Sequence, residues 1–156
     1  DSGEEIHGQH TAYLSGMSDW CGNCHAGMHS DMTTNFVHPV AVNVGSTNSG
    51  NYNAYVTTGD LTGAYATAYM PLVPFEDAAN TVTSLTGTMA NSQVMCLTCH
   101  RAHASPYPDA GRWDFAADIL EDTHPIGDPY YTYYDGNPLV MTTQRSLCNK
   151  CHLKDN

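Results

Sequence analysis

A mostly coil domain with short helices, wrapped around bound groups rather than around a core of its own side chains, is the architecture this sequence predicts. Three observations predict it. Leu, Ile, Val and Phe together make up 24 of 156 residues and the formal net charge is -11, a balance at which a chain buries too little apolar surface to fold unaided. Gly, Pro, Asn, Ser and Thr recur so often that no long periodic segment survives between them. All six cysteines fall into three copies of one pattern, Cys-x-x-Cys-His, which begin at Cys21, Cys96 and Cys148.

That pattern is the attachment signature of c-type haem. Two thiols add to the porphyrin vinyl groups as thioethers, and the adjacent histidine becomes the proximal iron ligand. Cys21, Cys24, Cys96, Cys99, Cys148 and Cys151 are the candidate attachment residues, and His25, His100 and His152 the candidate proximal ligands. A thioredoxin-like redox pair needs a single Cys-x-x-Cys beside a βαβ pattern, and a zinc ribbon pairs two such units without a histidine at one fixed place. With 9 histidines in 156 residues, one follows a given cysteine by chance about 6% of the time, so three in register select haem over zinc or disulfide. Three large apolar discs also supply the core that the side chains lack, and haem-free chain is expected not to fold.

Along the chain, residues 1–20 are polar and contain glycine. "DWCGNCHAGM" then offers a short helix carrying the first motif. In residues 41–92, "AVNV" and "NAYVTT" are β-prone and flank a Gly/Asn/Ser cluster, which predicts one small β-hairpin. "NSQVMCLTCHRAH" reads as a second short helix with Asn91 as a cap, and "TTQRSLCNKCHLK" as another capped by Thr142 or Thr143. "WDFAADILED" is a further helix of two to three turns. The stretches "SPYPDAGR" and "THPIGDPYYTYYDGNP" are proline-rich loops. One domain over residues 1–156 accommodates all of this.

Six histidines lie outside the motifs: His7, His10, His29, His38, His103 and His124. A second histidine on each iron closes the position at which substrates bind and leaves outer-sphere electron transfer as the main use. Supply is twice the demand, so half of the six are expected to be solvated surface residues; seven methionines are the competing donors. His38 and His124 share a context, "HPV" and "HPIG", in which proline holds its predecessor in an extended conformation. Each precedes a motif in chain order, His38 the one at Cys96 and His124 the one at Cys148. Both are expected as distal ligands. His29 and His103 follow proximal histidines by four and three residues, near the edge of their own haem and pointing toward a neighbour.

No 18-residue apolar run exists, so no membrane span is expected. Five Lys plus Arg argue against nucleic acid, whose phosphates need basic patches. A chain that opens at Asp1 instead of methionine is expected of an exported protein freed of its signal peptide, which agrees with haem attachment outside the cytoplasmic membrane. The acidity suits either plain surface charge or binding of divalent cations, for which Asp19, Asp31 and Asp135 are the candidates.

The "CxxCH" motifs with closely following histidines, interleaved with "HPV" and "HPIG", resemble those of the multihaem cytochromes. More narrowly, they resemble those of the filament-forming extracellular cytochromes of metal-reducing microbes, the cytochrome nanowires. The resemblance covers about a third of the chain, the motifs and their flanks. It implies a coil-rich multihaem fold, bis-histidine ligation, and a histidine of one subunit ligating a haem of the next. His29 corresponds to that crossing ligand, with His103, His7 and His10 as alternatives. The third motif lies four residues from the C-terminus and "LKDN" holds no ligand, so its distal histidine comes from upstream or from another chain. Redox centres near both ends favour head-to-tail association, which propagates as a ring or filament. The function expected is electron transfer to redox partner proteins or extracellular acceptors, without enzymatic turnover, at the cell surface or beyond. A soluble monomeric trihaem carrier of the periplasm is the alternative; a haem reductase of nitrogen or sulfur oxyanions needs an open iron and a substrate pocket.

Overall fold

A computed structural model describes residues 13–28, 38–56, 59–64, 68, 73–77, 90–103, 105, 107–112, 114–116 and 148–152. In chain order these form β1 (Tyr13–Leu14), α1 (Met17–Gly22), a 3-10 turn (Ala26–Met28), α2 (Gly45–Ala54), β2 (Glu76–Asp77), β3 (Ser92–Gln93), α3 (Cys96–Cys99), a second 3-10 turn (Pro108–Ala110) and α4 (Cys148–His152). Three of the four α-helices carry cysteines of the three motifs, and α2 is the longest helix among the described residues.

The strands make one sheet in the order β1-β2-β3. Tyr13 and Leu14 pair in parallel with Glu76 and Asp77, which pair antiparallel with Gln93 and Ser92. Residues 41–45 continue along the far side of β3: Ala41 N–H donates to the Val94 carbonyl at 3.2 Å, and Val44 N–H to that of Ser92 at 2.8 Å. The Gln93 side-chain amide ties the same segment down by donating to the Ala41 carbonyl and the Asn43 side chain, at 3.0 and 3.1 Å. This sheet gathers the approach to α1, the approach to α3 and the chain leading out of His38.

The hairpin expected from "AVNV" and "NAYVTT" does not form. Its supposed turn, residues 45–52, lies within α2. Gly, Ser and Asn are poor helix formers and common turn residues, so local preference pointed to a turn; packing overrides it. Tyr52 is 1% exposed, its ring meets Phe75 edge-on at 5.1 Å, and α2 packs against α4. Such burial of an aromatic side chain outweighs several tenths of a kcal/mol of unfavourable propensity per residue. Asn91 does not cap α3 either: the N-cap is Met95, and the Thr98 hydroxyl accepts the Met95 N–H at 3.1 Å while donating to the Pro74 carbonyl at 2.6 Å. The helix expected in "WDFAADILED" is a turn at Phe115 and Ala116, the rest lying outside the described residues, as do Thr142 and Thr143.

The described core is small and aromatic: Tyr52, Tyr55, Val73 and Met95 are buried together with Ala68. Lys150 of α4 is completely covered, its Nζ 3.7 Å from the centre of the Tyr52 ring. Burial drives its amine well below the ordinary lysine range, against a smaller opposite push from Cys151. Folding therefore releases a proton over the interval between the folded and unfolded values, and stability rises with pH there. Lys150→Met, which keeps the unbranched volume without the charge, is expected to raise Tm at neutral pH by a few degrees, roughly 2–4 °C per kcal/mol. It should also flatten the rise of Tm with pH on the acid side of the ordinary lysine range. Thermal melts across that range check both, and a lowered Tm with an unchanged pH slope contradicts the argument.

Among the described residues, no helix is long and apolar enough to cross a membrane.

Candidate haem sites

Each Cys-x-x-Cys-His unit occupies a single turn. In the first, the His25 N–H donates to the Cys21 carbonyl at 3.0 Å, and in the second the His100 N–H donates to the Cys96 carbonyl at 2.9 Å. That i to i-4 bond puts the first cysteine and the histidine one above the other on the same helical face. In the third, Cys148–His152 is itself α4. Cys24, His25 and His152 are exposed, while Cys21, Cys96, Cys99, His100 and Cys151 are half-buried. Cys21, Cys24, Cys96, Cys99 and Cys151 are free thiols.

The surroundings fit a large apolar group. Trp20 beside Cys21 is 65% exposed and Met28 is 66% exposed, an arrangement that costs nothing if a porphyrin face covers them. Phe115 meets the His100 ring edge-on at 5.3 Å. Apolar side chains placed against the motifs, with so few in the interior, are what a chain folded around discs requires.

His100 is braced for ligation. Its Nδ1 lies 2.8 Å from the Asp109 carbonyl oxygen. A carbonyl only accepts, so Nδ1 carries the proton and Nε2 keeps its lone pair for a metal, the usual outer contact of a metal-bound imidazole. The loop that presents this carbonyl is held in a conformation that L-residues rarely adopt, with φ of 57° at Asp109 and 53° at Ala110, at a cost on the order of 1–3 kcal/mol each. Arg101 N–H to the Ala110 carbonyl at 2.7 Å and Arg112 N–H to the Cys99 carbonyl at 2.8 Å secure it. Arg112, only 8% exposed, also donates from Nε to the Leu97 carbonyl at 2.6 Å.

His38 shows the same device, with Nδ1 2.9 Å from the Pro39 carbonyl oxygen. Its ring centroid lies 6.3 Å from that of His152, with the planes at 64°. Metal–imidazole bonds of about 2.0–2.1 Å on opposite sides of one atom put ring centres roughly 6 Å apart. The two rings are thus spaced as two ligands of one metal would be. Chain order had pointed His38 toward the motif at Cys96; the fold sets it beside the motif at Cys148 instead.

The first two turns adjoin each other. α1 packs on α3, and the Cys21 thiol is pushed above its ordinary range by burial first and then by Cys96, which lies within hydrogen-bonding reach. Groups bound at these two cysteines would be neighbours. His103 is exposed and sits at a left-handed position with φ of 64°. His7, His10, His29 and His124 lie outside the described residues, as do Asp31 and Asp135. Among the described residues no group of three His, Cys, Asp or Glu side chains could hold a metal ion, so Asp19 has no cluster around it. Asp109 and Arg112 were missed in the sequence; the "PDAG" turn was the one signal available for the first.

No protein-family profile matches the chain. It is 39% identical over 92% of its length to the C-type cytochrome OmcS of Geobacter sulfurreducens. Two solved structures are similar as well. One, an Outer Membrane Cytochrome S filament from Geobacter sulfurreducens, matches 99% of the chain at 34% identity with a TM-score of 0.68. The other, a cryo-EM structure of OmcS nanowires from the same organism, matches 92% at 36% identity with a TM-score of 0.69. The chain spans 41% of the length of the curated relative, and 46% and 44% of the two solved chains.

Proposed function

We propose, from the premise that this chain is a relative of the filament-forming multihaem c-type cytochromes, that it carries electrons through three bis-histidine c-type haems as the repeating unit of an extracellular filament. The His38–His152 pair, at 6.3 Å, is the observation that carries the redox half of this reading. An iron held between two imidazoles has no position for a substrate, which leaves outer-sphere electron exchange.

Each residue then has a task. Cys21 and Cys24, Cys96 and Cys99, and Cys148 and Cys151 anchor one porphyrin apiece through thioethers, and His25, His100 and His152 bind the irons from the anchored side. The Asp109 and Pro39 carbonyls hold the Nδ1 protons of His100 and His38, fixing both rings with Nε2 available. Arg112 brings a mostly buried guanidinium to the second turn, a cation suited to a porphyrin carboxylate. With His38 assigned to the third haem, His124 serves one of the other two. His29 of a neighbouring subunit, or His103, His7 or His10, serves the last. When bound, haem supplies one-electron exchange between ferric and ferrous iron; the polypeptide supplies spacing, orientation and insulation.

The filament half follows from kinship with proteins solved as filaments. Negative-stain microscopy of purified holoprotein is expected to show particles of fixed width and indefinite length. Uniform monomers at high concentration would defeat the filament and return the periplasmic carrier as the better reading.

A further inference from the structure

We propose that Glu76 is a positioning residue that locks the first two Cys-x-x-Cys-His turns together and, as a fixed negative charge between them, lowers the potentials of the haems they hold. It rests on the functional reading above. Glu76 is 1% exposed. One carboxylate oxygen accepts the Gly16 N–H at 2.7 Å, and the other accepts both the N–H and the hydroxyl of Ser18 at 2.8 Å. Those donors form the N-terminal end of α1, where Gly16 has the φ of 94° needed to turn the chain from β1 into the helix. The Ser18 hydroxyl in turn accepts the N–H of Cys96 at 3.3 Å. A single side chain therefore reaches from β2 to the helix of the first motif and, through one hydroxyl, to the first residue of the second.

The backbone of Glu76 leaves little freedom, because β2 is paired on both edges, with Tyr13 on one side and Gln93 on the other. Cys21 and Cys96 lie beside each other just past this junction, and the charge of Glu76 is felt at Cys21, where it opposes formation of a second negative charge. The same field would act on the iron of a haem attached at that cysteine. Oxidised iron carries one more positive charge than reduced iron, so a nearby carboxylate favours the oxidised form. A buried charge with three donors is far less screened than one at the surface, and no pairing at the helix end removes it completely.

Two variants separate geometry from charge. Glu76→Gln keeps the volume and an acceptor for Ser18, removes the charge, and sets an amide NH2 that cannot accept against the Gly16 N–H. Ser18→Ala keeps the charge and breaks the bridge to Cys96. In stepwise reduction with dithionite, Glu76→Gln holoprotein is expected to show two of its three midpoints shifted upward and the third, belonging to the motif at Cys148, unmoved. Ser18→Ala is expected to lose amplitude in the Soret circular-dichroism couplet that reports coupling between adjacent haems, with smaller changes in midpoint. Haem content by pyridine haemochrome assay is measured on every sample. Native protein that carries no haem overturns the functional reading, and this inference with it. A haem-loaded Glu76→Gln protein with native midpoints overturns the charge role alone. If Glu76→Gln does not accumulate, a native couplet in Ser18→Ala is enough to overturn the positioning role.

Discussion

Replacing all six motif cysteines with alanine is expected to abolish cooperative folding altogether. Among the described residues the buried apolar side chains are Tyr52, Tyr55, Ala68, Val73 and Met95, whereas Leu14, Trp20, Met28, Val42, Leu61 and Phe115 remain substantially exposed. Conformational entropy opposes folding at about 1–2 kcal/mol for every ordered residue, and short helices of four to six residues, such as α3 and α1, cannot persist without tertiary support. On the proposed function, three covalently held porphyrins would close this gap in two ways: they would cover apolar surface near each motif, and each would tie two cysteines and a histidine to one rigid plane. Far-UV circular dichroism of the cysteine-free chain should show a featureless, non-cooperative thermal profile, while holoprotein melts in a single transition. A cooperative melt of the cysteine-free chain would contradict the idea that the cofactors are the core. Restoring one motif at a time refines the result. The motif at Cys148 is expected to recover the most order, because α4 packs on α2 and carries Lys150 onto the Tyr52 ring.

What could be read from the chain, and what could not, follows from the range of the interactions involved. The three single-turn motifs were legible because covalent attachment of a haem would require both sulfurs and the imidazole within one turn, a local demand that spacing alone expresses. The coil-rich character was legible from the scarcity of aliphatic residues. The helix at Gly45–Ala54 was not, since its sequence prefers turns and only contact with an element about a hundred residues away makes it a helix. The neighbour of His38 was hidden for the same reason: "HPV" announces an imidazole on an extended segment and chain order places it before the motif at Cys96, whereas in the fold its ring lies 6.3 Å from that of His152. Glu76 lies in "PFEDAAN" among acidic residues that look like solvated surface charge, and its role depends on backbone N–H groups some sixty positions distant. The three-stranded sheet had no signal at all, because two-residue strands are too short to display alternation.

His38→Ala is expected to convert one haem of the three from six- to five-coordinate, and that haem should be the one at Cys148 and Cys151. Reduced native protein, with every iron closed, should not bind carbon monoxide; the reduced variant should bind one molecule per chain. The location follows from the 6.3 Å between the His38 and His152 rings and from the Pro39 carbonyl that holds the His38 Nδ1 proton. A methyl group in place of the imidazole leaves nothing else on that residue to reach the iron. Free imidazole added to the variant should restore the native spectrum, which distinguishes loss of a ligand from general disruption of the fold. The address is tested by combination. His38→Ala with Cys148→Ala and Cys151→Ala should bind no carbon monoxide, because the opened haem is gone; His38→Ala with Cys96→Ala and Cys99→Ala should still bind it. If carbon monoxide binding survives loss of the third motif and vanishes with loss of the second, His38 serves the haem that chain order suggested. Absence of binding in His38→Ala itself would remove His38 from the set of ligands. The consequence for conduction is the larger one: an iron that gains an open position must rearrange its ligand shell each time it changes charge, and a single slow centre limits every electron that has to pass through it.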